Sequence, residues 1–201
     1  MRHWTGAAAL AAALTLAAGH ARAEEAGRED ALREAHAVLL GLAADGEKPG
    51  HDGAADIYYS IIDNPDAPRL VTRLELALEP CRSRTISALQ FPGRWASLTL
   101  TITDLGRIAA VAAYASVDDM IAERNAIAFD DPRAEQVVLT GEGVSCMSRL
   151  SLAGESQSKA TSCGDRLDLS MMDDEQRERG LRALSAVARL CKVAALQPGQ
   201  D

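Results

Sequence analysis

Residues 96–103 are Ala-Ser-Leu-Thr-Leu-Thr-Ile-Thr, a stretch in which apolar and hydroxyl side chains alternate without a break. Such a period of two is typical of a β-strand that buries one face. We therefore predict a strand whose Ala, Leu and Ile side chains face the core and whose Thr side chains line the outer surface. No other part of the chain shows the pattern as clearly.

Two further strands are predicted immediately upstream. Residues 70–79 also alternate, and Pro80 ends them because proline has no N–H to donate to a neighbouring strand. Residues 83–90 form a second candidate, and the Phe-Pro-Gly at 91–93 is typical of a tight turn. Since consecutive strands usually lie side by side, a meander of three hairpin-linked strands is the simplest topology.

The middle of the chain predicts a mixture of elements. Residues 108–114 are apolar and fit either a strand or part of a helix, whereas Ser116 is typical of a helix start, with a helix through about residue 126. Gly141-Glu142-Gly143 is predicted to be a hairpin turn. Strands are predicted at 136–140 and 144–152, with weaker candidates at 159–163 and 167–171.

Amphipathic helices are predicted at both ends of the domain. Residues 26–44 carry apolar side chains at helical spacing; Gly46 and Pro49 stop this helix, and residues 45–56 are predicted to form a loop. The second helix opens with acids at 173–175, which suit the positive end of a helix dipole. The apolar stripes consist of Leu32, Ala35, Leu39 and Leu42 in the first helix and of Leu181, Leu184, Ala188, Cys191 and Ala195 in the second.

This order of elements predicts an α+β fold. We expect a curled antiparallel sheet or partial barrel covered by a C-terminal amphipathic helix, with an additional N-terminal helix. From about residue 69 to residue 195 the layout resembles that of pleckstrin-homology-like domains, in which strands are followed by one closing helix. The resemblance concerns the order of elements and implies no function.

The first 23 residues have the three parts of a secretory signal peptide. Arg2 gives a positive start, residues 7–18 an apolar core, and Ala21-Arg22-Ala23 the small-residue pattern of a cleavage site. The apolar core is too short to cross roughly 30 Å of hydrocarbon as a helix. We therefore expect residues 24–201 to be a single domain in the periplasm or secreted, with no membrane insertion after signal cleavage.

The charge of the predicted mature chain argues against nucleic acid as a partner. The first 23 residues carry two Arg and no acid, so 19 basic and 29 acidic side chains remain, a net charge of −10. Nucleic-acid phosphates require a basic surface. The few aromatic side chains are too scattered along the chain to form a platform for stacking bases.

All four cysteines, Cys81, Cys146, Cys163 and Cys191, lie in the predicted mature chain. An even number in an exported chain favours two structural disulfides. A two-residue hairpin turn at Gly154-Glu155 would place Cys146 opposite Cys163 at a non-hydrogen-bonded site, where two strands approach most closely. Cys81–Cys191 then follows by elimination. With no C-x-x-C motif and only two mature histidines, the sequence calls for no metal and no cofactor.

Several short constellations could carry chemistry, but each has a simpler explanation. His51-Asp52 could pair a base with its acid, yet it lies in a Gly-rich stretch typical of a solvated turn. His36 is predicted to be a half-buried packing residue. Ser145 comes two residues after Gly143, but Met147 stands where a nucleophile elbow requires a second glycine. The acid groups at 63/66, 130/131 and 173–175 lack the spacing of a calcium loop and fit caps and turns.

One charged group is a candidate binding face. Four arginines lie on the first three predicted strands of an otherwise acidic chain, where they could contact an anion or an acidic partner. The alternative is an ordinary solvated strand surface. These arginines are Arg73, Arg82, Arg84 and Arg94.

Three functions remain open from the sequence. The first is a non-catalytic periplasmic binding or accessory domain, whose partner would be an unknown protein or an anionic ligand in the cell envelope. The second is a hydrolytic enzyme whose Asp and Glu side chains are brought together only by folding. The third is a secreted inhibitor or envelope stress factor. The absence of a recognisable catalytic motif favours the first, so the chain is more simply interpreted as not an enzyme.

Cleavage after Ala23 is the first testable prediction. The mass of the intact protein from the periplasm or culture medium should correspond to a chain that starts at Glu24. A chain that keeps residues 1–23 in that fraction would contradict the signal-peptide interpretation.

Overall fold

The computed structural model describes residues 26–42, 49–53, 55–59, 69–76, 81–91, 94–153 and 156–197. Three sequence features lie outside these residues: the predicted signal peptide at 1–23, the Asn-Pro-Asp-Ala-Pro at 64–68, which is typical of a turn, and Pro92-Gly93 of the turn predicted at 91–93. The strands are β1 Gly50–Asp52, β2 Ala55–Tyr59, β3 Arg69–Leu76, β4 Arg82–Phe91, β5 Arg94–Asp104, β6 Ala110–Tyr114, β7 Gln136–Ala153 and β8 Ser156–Ser170. The helices are α1 at 26–39, α2 Val117–Ile121 and α3 Asp174–Leu190, with 3-10 turns at Leu105–Arg107 and Ala194–Leu196.

The eight strands form one open antiparallel sheet, which confirms the predicted α+β class and its helices at both ends. Strands β1 to β5 follow one another in chain order, so the predicted meander of β3, β4 and β5 is confirmed. Strand β7 then joins the two parts of the sheet. One of its edges pairs with β8, while its other edge pairs with β6 along residues 136–140 and with β5 along residues 145–151.

The predicted hairpin turn at Gly141-Glu142-Gly143 is wrong. The two predicted strands on either side of it are one 18-residue strand, β7, and the glycines form a bulge in which four residues oppose a single residue of β8. Gly143 has a φ of +60°, and its N–H donates to the Asp165 carboxylate at 2.7 Å. The two glycines suit this bulge for different reasons, because Gly141 lies against the backbone of Arg107 and Gly143 has a positive φ.

The first predicted helix and the loop after it also require correction. Helix α1 ends at residue 39 because Gly41, with a φ of +68°, turns the chain in the left-handed region. Residues 50–52 and 55–59 are strands, although 45–56 was predicted to be a loop. Helix α2 begins as predicted at its Ser116 cap, but ends at Ile121 because Glu123 adopts a positive φ.

The main core lies where helices α1 and α3 pack on the sheet around β6 and β7. Asp173 caps α3 by accepting from the Gln176 N–H at 2.7 Å, so the acids do occupy the predicted helix start. Residues buried in this core include Ala35 and Leu39 of α1, Val137 and Leu139 of β7, and Leu184 and Val187 of α3.

The two faces of β5 are the reverse of the prediction. Leu98 and Leu100 are 41% and 37% exposed, whereas Thr103 on the opposite face is fully buried. Ser83 and Thr85, on the same face as Thr103, are also buried. Helix α1 lies over this hydroxyl-bearing face, so the apolar face of β5 is left open to solvent. A period of two shows that a strand has two faces, but it does not show which of them a helix covers.

Two disulfides tie the fold together, with the pairing that the sequence favoured. Cys146 of β7 lies directly opposite Cys163 of β8, with a Cα–Cα distance of 4.0 Å. Cys81, just before β4, pairs with Cys191 at the end of α3, and the two lie 110 residues apart in sequence. The second bridge therefore fastens the closing helix to the sheet. The predicted turn residues 154–155 between β7 and β8 lie outside the described residues.

A second prediction concerns the bulge in β7. A Cβ added at Gly141 would lie 1.9 Å from the carbonyl oxygen of Arg107, so Gly141→Ala must displace backbone. We expect a loss of about 1–3 kcal/mol in the free energy of unfolding. Gly164→Ala is the matched control, since the nearest atom to its added Cβ is 4.0 Å away. Denaturant titration with intact disulfides measures both, and equal stability of the two variants would contradict the close approach.

Candidate functional site

One face of the central sheet carries neighbouring apolar side chains, two of which are more than a third exposed. We call it the outer face. Leu98 lies between Ala88 of β4 and Leu150 of β7, and the next pair along the strands places Leu100 beside Ile86. Four neighbouring strands, β3, β4, β5 and β7, therefore contribute to one continuous apolar patch. Its members are Val71, Ile86, Ala88, Leu98, Leu100, Ile102 and Leu150.

The exposure of this patch is unusual for residues of its kind. Leu98 and Leu100 at its centre are more than a third exposed, and its other members are half-buried by their neighbours within the sheet. Single exposed apolar residues are common, but contiguous ones mark interaction sites more often than chance. The Cys146–Cys163 disulfide lies beside Ile102 on the same face and fixes the sheet on that side.

Ion pairs border the outer face on its β1 to β4 side. Arg73 of β3 hydrogen-bonds to Asp52 of β1 and donates to Glu75 at 2.6 Å. Arg84 of β4 donates two hydrogen bonds to Glu75. The guanidinium groups of Arg73 and Arg84 together hold the pKa of Glu75 below its usual range. These charges therefore form a ladder across the strands that largely neutralises itself.

A second ionic group lies at the end of β5. Arg82 donates to the Asp104 carboxylate at 2.8 Å, and the Arg107 guanidinium lies 3.6 Å from the same carboxylate. The other Asp104 oxygen caps the following 3-10 turn by accepting from the Gly106 N–H. Asp104 therefore joins the border of the outer face to the turn that meets the bulge in β7.

The structure brings three of the four predicted binding arginines to one border of the outer face. Arg73, Arg82 and Arg84 all lie there, but each is engaged with an acid of the same chain. Arg94 begins β5, and its side chain lies outside the described residues. The apolar centre of the face was not predicted from the sequence, because Leu98 and Leu100 were expected to lie in the core.

The two mature histidines are in very different surroundings. His51 lies on β1, where its ring is 74% exposed and its Nδ1 is 2.9 Å from Asp56 Oδ1. Asp56 is buried beneath α1 and also lies 3.8 Å from the Arg33 guanidinium. The neighbouring Asp52 pairs with Arg73 instead. The carboxylate partner of His51 is thus Asp56, across the β1–β2 hairpin, and not the adjacent Asp52. The two residues lie on paired strands, although a turn was predicted here.

His36 is fully buried, in contrast to the half-buried position that was predicted. Burial lowers the pKa of His36 from its usual 6.5 to about 4, and the negative charge of Asp104 opposes this shift only in part. Neither ring nitrogen has a hydrogen-bond partner among the described residues, and the buried hydroxyls of Ser83 and Thr103 also lack one. His36 is therefore neutral at pH 7 and belongs to the packing between α1 and the sheet.

A groove of about 520 Å³ runs between helices α1 and α3. Its lining includes alanines, among them Ala35 and Ala183, and the charged residues Glu34, Glu178 and Arg182. Glu178 and Arg182 pair with each other at 2.7 Å. The lining of the groove thus contains two carboxylates, Glu34 and Glu178, of which Glu178 is held in this exposed ion pair.

Comparison with known proteins identifies no relative. No protein-family model, curated protein or solved structure matches this chain. Within the described ranges, no helix is long and apolar enough to cross a membrane. The function therefore has to be inferred from the surface and chemistry of the chain itself.

A third prediction follows from the burial of His36. Between its folded pKa of about 4 and its usual value of 6.5, the unfolded chain binds a proton that the folded chain does not. This proton therefore leaves the free energy of unfolding unchanged above pH 6.5. As the pH falls toward 4, it lowers the free energy of unfolding by up to about 3 kcal/mol. Denaturant titrations across this range should show the loss.

The variant His36→Leu isolates this contribution from that of the carboxylates. Leucine does not titrate and leaves no unpartnered nitrogen, so the free energy of unfolding should depend less steeply on pH between 6.5 and 4. If the variant and the original chain lose stability equally over this interval, His36 is not the group responsible.

Proposed function

We propose that this chain is a non-catalytic binding or accessory domain of the cell envelope, and that it binds its partner through the outer face. The observation that carries the proposal is the contiguous apolar patch around Leu98 and Leu100, which the helices leave open on a sheet held by a disulfide. A protein interface commonly has such an apolar centre surrounded by charged and polar side chains.

The ion pairs at the border of the outer face favour a protein partner whose interface has polar groups at its edge. Arg73 and Arg84 are already held by Asp52 and Glu75, so they are ordered before binding and lose little freedom on contact. Each of these positive charges has an acid beside it. The border is therefore better suited to orienting a protein partner than to attracting an anion strongly.

The cysteines support an oxidising compartment. Two disulfides form and persist in secreted or periplasmic proteins and are rare in the cytosol. Together with the signal-peptide pattern of residues 1–23, they support export. The cell envelope is therefore the place where we expect the partner.

A hydrolytic function is the second candidate, because of His51 and Asp56. An exposed imidazole whose Nδ1 contacts a buried carboxylate resembles a general base with its orienting acid. His51→Gln separates the two functions. We expect the variant to restore every trait that a deletion strain has lost, and failure of a folded His51→Gln protein to do so would favour the enzyme.

The fourth prediction tests the outer face. A photo-crosslinking amino acid in place of Leu100 should form a specific adduct with the partner in intact cells, whereas the same amino acid in place of Ile121 should not. Ile121 is a suitable control because it is 72% exposed and lies on α2, away from the patch. Mass spectrometry of the adduct identifies the partner.

Substitutions on the outer face then measure its contribution. Leu98→Asp with Leu100→Asp should weaken binding of the identified partner by about tenfold or more, since apolar anchors at the centre of an interface dominate its affinity. Ile121→Asp should leave binding unchanged. Reversal of the arginines is a less direct test, because it would leave Glu75 without its partners. Full binding by the folded double variant would overturn the proposal.

A further inference from the structure

Strand β8 is a long sheet edge. It has 15 residues, Ser156–Ser170, and in the described sheet it pairs with β7 alone. The irregularity between these two strands consists of extra residues in β7, so β8 itself carries no inserted residue. The side chains of residues 159–166 are exposed. Proteins usually shorten, bulge or cover an edge of this kind, because it can pair with another strand.

The position of the disulfide shows which backbone groups of β8 face outward. The 4.0 Å between the Cα atoms of Cys146 and Cys163 indicates a non-hydrogen-bonded pair, for which about 4.5 Å is usual against about 5.5 Å for a bonded one. The N–H and C=O of Cys163 therefore point away from β7. By alternation, those of Thr161 and Lys159 do the same.

We propose that β8 pairs with β8 of a second copy of this chain, in antiparallel register about a two-fold axis at Ser162. In this register Thr161 lies opposite Cys163 of the other copy, so outward N–H and C=O groups meet. The same face of the sheet continues across the axis, because paired residues differ by an even number of positions.

Charge complementarity selects this register. With Ser162 on the axis, Lys159 lies opposite Asp165 of the other copy, and the symmetry produces this pair twice. Lys159 has no ion-pair partner among the described residues, and Asp165 lies at the bulge, where its Oδ1 accepts from Gly143 N–H. With the axis at residue 161, Lys159 would lie opposite Cys163 of the other copy. With the axis at residue 163, it would lie opposite Leu167. The segment between the two charges, residues 160–164, is small and neutral.

Self-association is measured first on the purified mature chain by light scattering and sedimentation. The chain should have the mass of a dimer, and dilution should convert it to a monomer in one reversible step. A monomeric mass at every concentration examined would overturn the proposal. A dimer that fails the crosslinking test described next would also overturn it, since another surface would then be responsible.

A cysteine on the axis tests the register. Ser162→Cys should form an intermolecular disulfide on mild oxidation, because each copy of residue 162 lies opposite the other. Ala160→Cys is the matched control on the same strand and face, since it lies opposite Gly164 and should remain uncrosslinked. Peptide mapping confirms that the native bridges Cys81–Cys191 and Cys146–Cys163 are intact. Crosslinking of Ala160→Cys in preference to Ser162→Cys would contradict the register.

Two substitutions then test the ion pairs. Lys159→Glu and Asp165→Asn should each weaken the dimer by about fivefold, as expected for two exposed ion pairs. In the Lys159→Glu background, however, Asp165→Asn should strengthen the dimer, because it removes a repulsion. Asparagine retains the oxygen that accepts from Gly143. Simple additivity of the two effects would contradict the contact between Lys159 and Asp165.

Proline at an outward position provides a test that does not depend on charge. Thr161→Pro removes an N–H that bonds to no strand within the monomer, so the fold should remain while the dimer is lost. Thr161→Val is the matched control and should still dimerise. If Thr161→Pro does not fold, the cysteine and charge variants decide the question. A folded Thr161→Pro chain that still dimerises would exclude pairing through β8, and binding of a different protein's peptide to this edge would then be the alternative.

Discussion

The close approach between Gly141 and the backbone of Arg107 is the constraint on which the sheet depends. Because Gly141 has no side chain, β7 can pass against the 3-10 turn after β5, and the bulge that follows changes its pairing. The same edge of β7 then holds β6 on one side of the bulge and β5 on the other. Within the described sheet, strands β5 and β6 do not pair with each other, and β7 is the strand that joins them into one sheet.

The sequence predicted the regular parts of the fold because they depend on local periodicity and on turn spacing. Strand β4, the acidic start of α3 and the opposition of Cys146 and Cys163 are all of this kind. The bulge could not be predicted in the same way. The sequence Gly141-Glu142-Gly143 suits a hairpin turn as well as a bulge. The contact with the backbone of Arg107, which is distant in sequence, decides in favour of the bulge.

The candidate binding face could be predicted only in part, for a related reason. Its arginines stood out because charges on an acidic chain are conspicuous, but the acids that neutralise them come from β1, β3 and the end of β5. Its apolar centre was not predicted, because the more apolar face of a strand is ordinarily the buried one. The Leu face of β5 was therefore expected to lie in the core and the Thr face to be exposed. The buried side chains on the other face are instead the small polar ones of Ser83, Thr85 and Thr103, on the side where Arg33 of α1 reaches Asp56. Such a choice depends on tertiary packing.

The bridge between Cys81 and Cys191 also determines what happens when the backbone is cut. These residues enclose β4 through α3, and the Cys146–Cys163 bridge lies wholly inside that span. A protease that cleaves once at an exposed site such as the segment after α2 therefore produces two pieces that remain covalently joined. The cut chain keeps its mass until a reductant is added, and the closing helix cannot diffuse away from the sheet. In a compartment rich in proteases, a nick in this region does not by itself dismantle the domain.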